Sequence, residues 1–111
     1  MNATAAPATG AFVTAMLGYQ PFQRVTFDYA GHTLIVTRGV PHDEKLPGVE
    51  FAVFELDAEG HPCEWLFVLG AECPYARGER EFTVQTMFQE VLAETATLEA
   101  ALGATLAHFQ R

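Results

Sequence analysis

Two segments of this chain, "VEFAVFEL" at 49–56 and "CEWLFVL" at 63–69, read as β-strands that are apolar on both faces. In the first, Phe51 and Val53 alternate with Ala52, Phe54 and Leu56; in the second, Trp65, Phe67 and Leu69 alternate with Leu66 and Val68. Strands of this kind need cover on both sides, so the pair belongs at the centre of a sheet or beneath a second layer. The "DAEGHP" between them reads as a hairpin loop, with Gly60 at a left-handed position and Pro62 delaying the pairing until after it.

Away from this centre the patterns are simpler. Val25, Phe27 and Tyr29 alternate with Arg24, Thr26 and Asp28, Ala30-Gly31 is a tight turn, and "HTLIVTR" at 32–38 returns as a second strand. "EFTVQ" at 81–85 alternates again and predicts a short fifth strand. Thr86 and Gln89 then stand at capping-box spacing, and the pattern is helical to about Gln110. On a helical wheel Met87, Phe88, Val91, Leu92, Leu98, Leu102, Leu106 and Phe109 share an arc of about 140°. At the other end, Thr9 caps a short helix over 10–17, with Gly18 as its stop.

The expected fold is therefore α+β: an antiparallel sheet of four to five strands, a long C-terminal helix packed on one face, and a short N-terminal helix. At 111 residues, half of them apolar, the chain makes one domain with a real core. Residues 1–9, "MNATAAPAT", read as a disordered tail, which leaves 10–111 as the domain.

Six Lys and Arg against fourteen Asp and Glu leave a formal net charge of -8. Such a surface repels nucleic acid and anionic membrane, so no direct nucleic acid binding and no membrane contact are expected, and basic partners are favoured. No window approaches the roughly 18 apolar residues of a spanning helix, and no Lys or Arg opens the chain as a signal peptide would require. A cytoplasmic location is the expectation.

Both cysteines flank the second two-sided strand. From Cys63 to Leu69 such a strand runs about 20 Å, and the four residues onward to Cys73 return at most about 14 Å, which argues against a disulfide or a shared metal. No Cys-x-x-Cys or His-x-x-x-His pair occurs, so neither metal nor other cofactor is expected. Cys63 reads as a small buried hydrophobe, whereas Cys73, with Arg77 and Arg80 following, sits in a loop where positive charge could activate a thiol. "HDEK" adds His42, Asp43 and Glu44 in another loop. There is no Ser for a serine nucleophile and no glycine-rich phosphate cradle.

Catalysis is thus unadvertised, and more weight falls on uncovered apolar surface. One long helix covers one face of a sheet, and the helix at 10–17 is too small to hide the other, leaving either Phe54 or Trp65 outward. Glu99 falls inside the apolar arc of the long helix, where a carboxylate needs water or a partner. The leading expectation is a small acidic non-catalytic protein-binding module of adaptor, chaperone or inhibitor type, acting as a homodimer, with Phe54, Trp65 and Glu99 as interface candidates. The alternative is a small enzyme or ligand-binding domain with a pocket between sheet and helix, using His42, Asp43, Glu44 or Cys73.

Overall fold

A computed structural model describes residues 9–39, 48–72 and 79–110, with the side chain of Glu72 excepted. Helix α1 (Thr9–Leu17) leads into β1 (Arg24–Tyr29), β2 (His32–Arg38), β3 (Gly48–Leu56), β4 (Pro62–Glu72), β5 (Arg80–Thr86) and β6 (Val91–Thr95), and α2 (Leu98–His108) closes the chain. The six strands form one antiparallel sheet in the order β1-β2-β3-β4-β5-β6, so every strand pairs with its neighbour in sequence. The expected α+β architecture is present, with six strands in place of four to five.

The first hairpin turns at Ala30 and Gly31, both at positive φ (52° and 84°), a backbone whose twist matches the flanking strands. The two-sided strands β3 and β4 are the central pair, as their composition requires. Their register sets Val53 opposite Leu66 and Phe51 opposite Val68 on one face, and Phe54 opposite Trp65 and Ala52 opposite Phe67 on the other. A bulge between Val49 and Phe51 places Glu50 and Phe51 both in buried positions.

The expected long helix is divided. Thr86 Oγ1 accepts from the backbone N–H groups of Phe88 and Glu90, closing a turn rather than capping a helix, and Gln89 takes a positive φ of 67°. The chain then returns as β6 against β5. The helix starts at Thr97, whose hydroxyl accepts from Ala100 N–H at 3.1 Å. Met87, Phe88 and Val91 are consequently exposed, not part of a helical face. The physical reason is pairing: Phe82–Gln85 of β5 gain a hydrogen-bonded neighbour that a helix over the same residues could not supply.

Both helices lie on the same face of the sheet. From α1, Val13 and Met16 enter the core and Phe12 packs on Phe27 and Tyr29, each at 5.0 Å between ring centroids. Ala101, Leu102, Leu106 and Phe109 of the C-terminal segment join the same core at helical spacing, with α2 packed on β4, β5, β6 and α1. Beneath them Leu34, Val36, Phe51, Val53, Leu66 and Val68 are each 0% exposed, and each stabilises the fold by about 1.5–3 kcal/mol through burial. Helix α1, expected to be too small to hide the second face, shares the first with α2.

An ion pair between a buried carboxylate and an exposed arginine sits at the margin of this layer. Arg80 Nη2 donates to Glu50 Oε1 at 2.6 Å, with the Glu50 side chain 7% exposed. The site depends on Gly70, where an added Cβ would lie 2.7 Å from both of those atoms.

Candidate interaction surface

No described helix covers the other face of the sheet. Its central rows are Ile35–Phe54–Trp65 and Thr37–Ala52–Phe67–Gln85, read across the strands from the cross-strand registers. Phe54 and Trp65, two of the three expected interface residues, are brought together as a stacked pair with centroids 4.3 Å apart. Phe67 stands edge-on to Trp65 at 5.9 Å. These rings are half-buried, and the described contacts that shield them come from side chains of the same sheet.

The middle of this face carries no ionisable side chain. Charge stands on its outer strands: Arg24 and Asp28 on β1, Glu81 on β5 and Glu94 on β6. A cavity of about 230 Å³ opens at the β5–β6 edge, lined by Glu81, Thr83, Glu94, Thr95 and Ala96. It lies away from the sheet–helix interior where a pocket would serve the enzymatic alternative. Just past the Leu66↔Thr86 pair, the turn after β5 exposes Met87 and Phe88, at 53% and 83%.

Glu99 is elsewhere. It is exposed in the first turn of α2, on the opposite side of the sheet from Phe54 and Trp65, where a carboxylate favours the helix N-terminus. It is not enclosed among the leucines, because the helix begins at Leu98 and turns Leu98, Leu102 and Leu106 inward without it. His42, Asp43, Glu44 and Cys73 lie outside the described residues, as do residues 1–8 of the expected tail; Thr9 opens α1.

Cys63 is exposed rather than buried, at the Trp65 end of β4. Its thiol donates to the Glu55 carbonyl at 3.5 Å. Desolvation pushes the thiol pKa up, and the carboxylates of Glu55, Asp57 and Glu64 push it further, so the group is a poor nucleophile at neutral pH. Strand β4 also runs on to Glu72, beyond the Leu69 end expected from sequence.

A polar cluster that sequence reading missed lies on the helix-covered face. Glu55 and Glu64 are direct cross-strand neighbours there. Each is met by a histidine: His32 Nδ1 bonds to Glu55, and His108 Nε2 donates to Glu64 Oε1 at 2.6 Å. Two adjacent carboxylates repel, and the imidazoles offset that by placing donors on each. His108 Nδ1 is buried and has no partner among the described residues. The sequence signal was present, since Glu55 continues the alternation of Phe51 and Val53, and Glu64 that of Leu66 and Val68. Among the described residues no group of three or more His, Cys, Asp or Glu could hold a metal ion. No described helix is long and apolar enough to cross a membrane.

Compared with protein-family models, curated proteins and solved structures, the chain matches none of them.

Proposed function

We propose that this chain is a small acidic, non-catalytic protein-binding module of adaptor, chaperone or inhibitor type, whose contact surface is the open face of the sheet. The observation that carries the proposal is the Phe54–Trp65–Phe67 cluster, three aromatic rings in contact at the middle of a face that no described element covers. Contiguous exposed apolar surface ringed by polar groups marks protein contact sites, and aromatic side chains concentrate binding energy there. Thr26, Thr33, Thr37, Thr83 and Gln85 supply such a ring of polar groups. The net charge of -8 favours a basic client and makes its association salt-sensitive.

The test is a photo-crosslinking amino acid in place of Gln85, which stands on the open face level with Phe67. Irradiation in the native host is expected to attach a protein to this position, and the adduct is expected to disappear when Trp65→Asp is added. The absence of any protein adduct from Gln85 would overturn the proposal.

A further inference from the structure

We infer that the open face is covered by a second copy of this chain, in a twofold sandwich that lays β1 of one subunit over β6 of the other. The inference rests on the reading of this face as a protein-binding surface and names its partner.

Three observations converge on a second copy. The first is size. Six strands about 4.8 Å apart, over about eight residues of about 3.3 Å each, make a face of roughly 600 Å². Two such faces bury roughly 1,200 Å² together, the lower bound for interfaces that hold. The second is position. A twofold that superimposes the whole face must pass between the third and fourth of six strands. Phe54 and Trp65 stand on those two strands and stack against each other, so the aromatic pair would meet its own copy at the centre of the contact. An isologous interface needs its anchors in that place.

The third is charge. The chain is strongly acidic, so two copies attract only if the surfaces that meet are neutral or complementary. The central rows of this face are neutral. At its margins, Arg24 on β1 shares the row of Gln85, and Glu94 on β6 shares the adjacent row of Thr83. An axis running along the strands carries β1 across to β6, so Arg24 comes within one row of the partner's Glu94, within reach of its long side chain, and the symmetry makes this pair twice. An axis across the strands would set β1 on β1, where Arg24 can meet the partner's Asp28, and β6 on β6, which offers Glu94 no cation. In the resulting pair the helices face outward, and Glu99 stands on the solvent side.

Analytical ultracentrifugation of the full chain at micromolar concentration is expected to give twice the 12.1 kDa chain mass. Arg24→Glu and Glu94→Arg are each expected to weaken assembly about tenfold, since each reversal sets like charges together twice, and the double variant is expected to recover it. Trp65→Asp is expected to yield a monomer whose far-ultraviolet circular dichroism keeps its wild-type strand and helix signal, because Trp65 lies outside the helix-covered core. A wild-type monomer overturns the second copy. Single reversals without effect, or a double variant no better than either, overturn the β1-over-β6 arrangement. The Gln85 crosslink separates this inference from the broader reading. An adduct of twice the chain mass supports both, an adduct with a different protein overturns the second copy and leaves the binding module standing, and no adduct overturns both.

Discussion

Leu66 and Phe67 follow one another in β4, yet their surroundings differ in kind. Leu66 is 0% exposed on the face that both helices cover, whereas Phe67 is half-buried on the face that no described element covers. The same contrast repeats in β3, where Val53 is sealed and Phe54 leans on Trp65. One face has been completed within the chain and the other has not, although the two are equally apolar along the central strands. Apolar content alone therefore does not tell a core from a contact surface; the number of elements left to cover it does.

The contrast can be broken most directly by truncating the two neighbours. Leu66→Ala is expected to cost about 2–5 kcal/mol in urea unfolding, through lost transfer energy and a cavity beneath the helices. Phe67→Ala in the dilute chain is expected to cost about 1 kcal/mol, chiefly the edge-on contact with Trp65. Equal losses at high dilution would mean that the second face is also sealed. Gly70→Ala probes the covered side at its polar margin. Its new Cβ would press on the Glu50–Arg80 pair, and a loss of about 1–3 kcal/mol is expected in the same assay. A neutral result would show that the pair shifts freely.

The smallest effect concerns reactivity rather than stability. Cys63 is exposed beside the register shift between Glu55 and Leu56. Its raised pKa leaves little thiolate at neutral pH, so alkylation followed on the Cys63 peptide by mass spectrometry is expected to be slower than for a free cysteine. It should accelerate as pH rises toward the raised pKa. A rate equal to that of free cysteine at neutral pH would contradict the influence of Glu55, Asp57 and Glu64.

The sheet was largely legible because period-two patterns survive wherever strands run six residues or more. Arg24–Tyr29 and His32–Arg38 lie where their alternation puts them, and the two-sided composition of β3 and β4 placed them centrally. Strand β6 was not legible. Its five residues, "VLAET", show no alternation, and Met87, Phe88, Val91 and Leu92 happen to fall in phase with the leucines of α2 on a helical wheel. Nothing local distinguishes that coincidence from a long amphipathic helix; the unpaired edge of β5 decides it, and that edge exists only in three dimensions. The choice of face by α1 was illegible for a similar reason, since its apolar residues fit either side. The stacking of Phe54 on Trp65 followed once β3 and β4 were paired, but the histidine partners of Glu55 and Glu64 come from β2 and from the end of α2, 23 and 44 residues away.

The described ends of the chain meet. Gln110 Nε2 donates to Thr9 Oγ1 at 2.9 Å and also reaches the Tyr29 hydroxyl, joining positions 101 residues apart. The path from Thr9 to Gln110 is thus nearly a closed ring, and every strand-to-strand step along it is local. A circular permutant could join the two by a few residues and open instead at the Asp57–Gly60 turn without severing a strand. Because that junction lies on the helical side, a label or a fused domain attached there would leave the aromatic face unobstructed.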